Sequence, residues 1–182
     1  MIIRQTLLVL VALLVTGAAS HAGEPPAASD SVAFAMVSEQ EFQQAKLEQS
    51  RLGRAERMSV EDLGPIDPDG PRITVEAPAL GAGRLKSPLQ ISVKWQAAQG
   101  AAVDLKSLKV IYIRDGVWLD RTDRIRKCGT TVARLAGINC RVDAAGLFVE
   151  KAELAKGSYQ LVVQLADTKQ RATRREFSVE IG

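Results

Sequence analysis

Through residues 72–182, apolar and polar positions alternate in short runs broken by glycine and proline. The clearest run sets Leu89, Ile91, Val93, Trp95 and Ala97 against Gln90, Ser92, Lys94 and Gln96, before Gly100 ends it. A period of two turns every second side chain to one face of a sheet, so this run predicts a half-buried strand. Tyr159, Leu161, Val163 and Leu165 repeat the pattern after Gly157, Ile138, Cys140 and Val142 do so briefly, and Phe177, Val179 and Ile181 close the chain on it. Residues 108–113 form a nearly continuous apolar strand that stops at the Asp115-Gly116 turn, with Val117-Trp118-Leu119 as a short return. Ile73-Thr74-Val75 follows Pro71 and is halted by Pro78. Only residues 144–154 read as helix, for a turn or two. About seven strands with turn signals every 8–12 residues predict an all-β sandwich, because nothing matches the long crossover helices that parallel strands require. Trp95 and Tyr159 are its natural large core fillers.

Residues 23–71 differ in kind. They open with Glu24-Pro25-Pro26 and close with Gly64-Pro65-Ile66-Asp67-Pro68-Asp69-Gly70-Pro71, turn chemistry at both ends. Between them Ser38-Glu39-Gln40-Glu41 is a capping box, with Val37 and Phe42 placed for a hydrophobic staple. A helix is predicted over residues 39–57, with Gly53 weakening its last turns. Its apolar stripe of Phe42, Ala45, Leu52 and Ala55 is thin and interrupted by Gln49, which predicts a loosely docked, partly disordered arm outside the sandwich. A chain starting near Gly70 is accordingly expected to fold without it.

Residues 1–22 read as an address. Arg4 precedes an unbroken apolar run at 7–15, and small residues follow it. This is the order of a secretory signal peptide, with cleavage expected after Ala22, or after Ser20 as the rival site. The run is well short of the about 20 apolar residues that cross a bilayer, which disfavours an uncleaved anchor. Cys128 and Cys140 are the only cysteines. An exported chain with an even count pairs them, so a structural disulfide is expected.

The 182 residues are 46% apolar and 25% charged, globular rather than disordered. A net charge of +3 is too small to mark a nucleic-acid binder, but the charge is unevenly spread. Residues 23–71 hold four cations and ten anions, a net of −6, whereas residues 72–182 carry +8. The two parts attract each other, face different partners, or are simply solvated surfaces of opposite bias.

The stretch Leu154-Ala155-Lys156-Gly157-Ser158-Tyr159-Gln160-Leu161-Val162-Val163, ending in Asp167, resembles the penultimate strand of bacterial immunoglobulin-like modules. Ser87-Pro88-Leu89-Gln90-Ile91-Ser92-Val93 looks like their second strand, and residues 103–110 look like the entry to their third. The resemblance covers roughly residues 72–182. It implies an immunoglobulin-, cadherin- or fibronectin-III-like sandwich and a binding or spacer role in an exported protein, with no ligand specified. Two features depart from the pattern: Asp167-Thr168-Lys169-Gln170 lacks a hairpin glycine, and the disulfide is local rather than a pin between sheets.

His21 is the only histidine and leaves with the signal peptide if cleavage follows Ala22, in which case Ser-His-Asp and Cys-His mechanisms and imidazole metal ligation are excluded. No phosphate-binding glycine motif occurs. Asp67-Pro68-Asp69-Gly70 lacks the further ligands of a calcium loop and reads as a turn. Asp120 and Asp123, flanked by Arg121, Arg124 and Arg126, read as salt-bridged surface. No catalytic residue, metal or cofactor is expected. The candidate binding residues are Trp118, Arg121, Arg124, Arg126 and Lys127, crowded before Cys128 and suited to an anionic partner, although the same charges fit a solvated basic surface. Lys169, Arg171, Arg174 and Arg175 form a second cluster. The expectation is a non-enzymatic module, periplasmic or secreted, that binds another envelope or extracellular protein. The alternative ligand is a polysaccharide or anionic envelope polymer, with a carboxylate-dependent hydrolase third. Nucleic-acid binding and membrane insertion after signal removal are not expected.

Overall fold

The computed structural model describes residues 31–52, 59–79, 81 and 83–182. The expected signal peptide and cleavage site, His21 and the part of the predicted helix beyond Leu52 fall outside the described residues. No described helix is long and apolar enough to cross a membrane.

The fold is an all-β sandwich of two five-stranded sheets. Strands β1 (Phe34–Val37), β2 (Arg72–Ala77), β4 (Leu89–Gln96), β7 (Cys140–Asp143) and β8 (Gly146–Leu154) build the first sheet. Its order is β1-β8-β4-β2, and β7 pairs with β8 as well. Strands β3 (Arg84–Leu85), β10 (Ala172–Ile181), β9 (Gly157–Asp167), β5 (Val103–Arg114) and β6 (Val117–Asp120) follow one another across the second. The period-two runs do what their spacing dictates. Ile91, Val93 and Trp95 turn into the core from β4, and Tyr159, Leu161, Val163 and Leu165 meet them from β9. Trp95 Nε1 donates to the Asp143 carbonyl at 2.9 Å, so its one polar atom is satisfied. Tyr159 stacks edge-on to Tyr112, and its hydroxyl donates to the Ala155 carbonyl at 2.9 Å. That return bond four residues upstream is the geometry of the tyrosine corner of immunoglobulin-type sandwiches.

Residues 144–154, expected to hold helix, contain strand β8 instead. Leu89 of β4 opposes Ala152 while Ile91 opposes Val149, so β8 bulges at Glu150 and Lys151. The bulge resets the inward phase and leaves Val149 and Ala152 three residues apart, a spacing that mimics helix.

The second difference lies upstream. Residues 31–52, expected in an arm outside the sandwich, are packed into it. β1 lies parallel to β8, with Phe34 opposite Ala152 and Ala35 opposite Glu153. Helix α1 (Glu39–Arg51) starts at the expected capping box, where Ser38 and Glu41 each accept the other's backbone N–H. Met36, Val37 and Phe42 are fully buried in the main core. Gln49, which interrupts the apolar stripe, has its own task. Its amide donates to the Trp118 carbonyl at 2.7 Å and accepts the Trp118 N–H at 3.1 Å, sealing the open edge of β6.

Residues 59–63 lie over the outer face of the second sheet. Leu63 packs on Ile111 and Val162, with Ile113 and Trp118 beside them. Gln164 Nε2 donates to the Leu63 carbonyl and Arg174 to that of Val60. Sheet two is therefore covered on both faces, which explains why Val162 and Gln164 are buried opposite the inward side of β9.

Candidate functional site

The predicted basic segment runs through the end of β6, helix α2 (Thr122–Arg126) and the disulfide. α2 folds because Arg121 is followed by a short polar turn whose Ile125 drops into the core, while the Thr122 hydroxyl accepts the Val110 N–H at 3.0 Å. The structure brings the arginines together, and most of them face inward to backbone carbonyls. Arg121 Nε donates to the Met36 carbonyl at 2.8 Å. Arg124 donates to the Ala35 carbonyl at 2.7 Å and pairs closely with Glu41. Between them the two guanidinium groups bind the free edge of β1 and the first turn of α1. Burial alone would raise the Glu41 carboxyl, but hydrogen bonds from Arg124 and Ser38, with the Arg121 charge, hold it at about 2. A third guanidinium completes the clamp: Arg114 pairs with Glu39 at 2.7 Å and lies 4.0 Å over the Phe42 ring.

Arg126 donates to the carbonyls of Lys106 and Leu108 at 2.7 and 3.1 Å, and pairs with Asp123 at 3.4 Å. Trp118 is half-buried against the second sheet. Lys127 alone of the five candidates is exposed with no ion pair among the described residues, since the equally exposed Arg126 pairs with Asp123. The second cluster is also largely engaged: Arg171 pairs with the buried Asp167, and Arg174 with Glu176. Asp67 Oδ1 accepts the Asp69 N–H at 2.8 Å, so residues 67–70 form a turn.

Cys128 and Cys140 are joined as a disulfide. It ties the end of α2 to β7 and encloses a short helix absent from the sequence reading, α3 (Thr131–Leu135). The Thr130 side chain caps it by accepting the Ala133 N–H, and Ala133 is its only buried residue. Val132 and Leu135 therefore point outward, 77% and 83% exposed. Val32 lies against the end of this helix, its N–H donating to the Gly137 carbonyl at 2.8 Å, and is itself 53% exposed. Arg134 and Lys127 flank the apolar pair without an ion pair among the described residues. Five residues are too few for periodicity to reveal, but a threonine cap between Gly129 and Gly137 was a readable signal.

No protein-family profile matches the chain, and no curated protein is similar to it. Solved structures match part of the chain. CopC from Methylosinus trichosporium OB3b is 11% identical with a TM-score of 0.37, over 60% of this chain and 93% of that one. Fibronectin(III)-like modules of Clostridium thermocellum CbhA are 13% identical with a TM-score of 0.34, over 61% of this chain and 46% of theirs. Murine CRIg is 11% identical with a TM-score of 0.32, over 60% of this chain and 96% of its own.

Proposed function

We propose that the chain is an exported, non-enzymatic interaction module of immunoglobulin-like fold that engages a protein partner through the disulfide-enclosed segment. The observation that carries this reading is the outward face of α3. Val132 and Leu135 stand exposed on a helix too short to persist alone, and the disulfide and Thr130 cap hold it in place. A pre-ordered apolar pair lowers the cost of association, and large exposed apolar groups grouped in one place mark contact surfaces. Lys127 and Arg134 on its flanks suit a partner with an apolar contact rimmed by carboxylates. The polysaccharide alternative has less support. Trp95, Tyr112 and Tyr159 are buried and Trp118 is half-buried, leaving no exposed tryptophan or tyrosine among the described residues as a stacking platform.

A photocrosslinker placed at Leu135 in the native envelope tests the reading. One discrete protein adduct is expected, lost when Val132→Asp is added, with none from a crosslinker at Leu47, which is also exposed. Equal labelling from both positions would reject it.

A further inference from the structure

The pairing of β5 with β9 breaks in one place. Asp104 opposes Ala166, yet Lys109 opposes Gln164, so β5 carries extra residues over 105–108 that β9 does not match. Ser107 bridges the gap: its hydroxyl donates to the Asp104 carbonyl at 2.6 Å and accepts the Ala166 N–H at 2.7 Å. A bulge of this kind lifts the strand and re-aims its side chains. Beneath it lies an opening of about 390 Å³, lined by Leu105, Leu108, Cys128 and Val142, with Lys106 and Arg126 as its charged members. Leu108 and Cys128 belong to the buried core, whereas Leu105 and Val142 are only partly covered. Leu105 and Val142 thus form the apolar surface of the opening, laid over core that stays closed at Leu108 and Cys128.

Both charged lining residues are cations. Arg126 is fixed by the Lys106 and Leu108 carbonyls and by Asp123, and its side chain remains 43% exposed. Lys106 is exposed; its backbone N–H donates to Asp104 Oδ1 at 3.0 Å and its carbonyl accepts from Arg126, while its ammonium group has no ion pair among the described residues. The disulfide fixes one wall, since Cys128 cannot move away from β7. The volume falls within the roughly 300–1,000 Å³ of small-molecule sites, which pair an apolar lining with a few placed polar groups.

We infer that the β5 bulge and the disulfide-held α2 form a binding site for a small anionic amphiphile, its apolar body against Leu105 and Val142 and its carboxylate on Lys106 and Arg126. This site is separate from the outward face of α3. Charge complementarity selects the head group, and the apolar wall selects the tail.

Decanoate, kept below its micelle concentration, is the probe. With the isotope-labelled full chain, saturable NMR shifts are expected at the methyls of Leu105 and Val142. Decanol should bind at least tenfold more weakly and decylammonium not at all. Lys106→Glu should weaken decanoate at least tenfold, and Val142→Trp should abolish binding while the thermal melt stays cooperative. If Val142→Trp unfolds the chain, Leu105→Trp replaces it. Equal affinity for decanol, shifts confined to α3, decanoate binding that survives the filled opening, or no saturation at millimolar probe would each overturn the inference. Loss of the α3 crosslink leaves these shifts unchanged, so the two readings fail independently.

Discussion

Glu41 has two charged partners and two bonds from the capping serine, and its carboxyl is held near 2 against an ordinary value of 4.5. A lowered acid stabilises the fold while it is ionised. Its contribution is full above pH 4.5 and disappears as the pH falls through 4.5 towards 2. Glu41→Gln should therefore cost about 1–2 kcal/mol at pH 7. In urea melts the gap between variant and wild type should close between pH 5 and pH 2; a gap independent of pH would mean that the arginines bind the carbonyls of β1 without needing Glu41. Tyr159 offers a neutral counterpart. Tyr159→Phe removes the hydroxyl bond to Ala155 together with the hydroxyl's interaction with Arg114, and should cost about 1 kcal/mol at any pH below the phenol's ionisation.

At the scale of elements, α1 shows how a thin stripe becomes a docked helix. Only Phe42 is fully buried on it, so the remainder of its attachment comes from Arg114 over the ring, from the ion pairs of Glu39 and Glu41 with Arg114, Arg121 and Arg124, and from Gln49 on the β6 edge. Phe42→Ala should cost about 3–5 kcal/mol and Gln49→Ala about 1 kcal/mol, both readable by thermal unfolding. The cap of this helix was legible because Ser38 and Glu41 act within one turn. Its docking was not, since Gln49 and the arginines act across more than sixty residues of chain and leave no periodic trace. The same division holds elsewhere. The clean alternation around Trp95 and Tyr159 identified β4 and β9, whereas the bulge in β8 shifted the phase and concealed a strand. In the candidate site the sequence showed the disulfide and the basic cluster. It could not show that Arg121 and Arg124 are committed to the Met36 and Ala35 carbonyls, because a guanidinium's target is set by the fold rather than by its neighbours in sequence.

Across the whole molecule, opposite charge and apolar burial act on the same segment. The anions of residues 31–52 meet the basic surface of the sandwich at Arg114, Arg121 and Arg124, while Met36, Val37 and Phe42 enter its core and Leu63 covers the far side of the second sheet. Burying four side chains of this size is worth on the order of 6–12 kcal/mol before the cost of ordering the segment. That is comparable with the roughly 5–15 kcal/mol by which an ordinary domain is stable. A chain beginning at Gly70 would expose the Phe42 pocket, the β1 edge of β8 and the strip of Ile111 and Val162 together. It should lose more than half of its stability, with a lower urea midpoint and a broadened transition. Salt should change this difference little, because the buried apolar groups carry most of it and screening over about 10 Å at 0.1 M weakens only the exposed ion pairs. A truncated chain that unfolds within about 1 kcal/mol of the full one would show that the strand and helix merely rest on a self-sufficient sandwich.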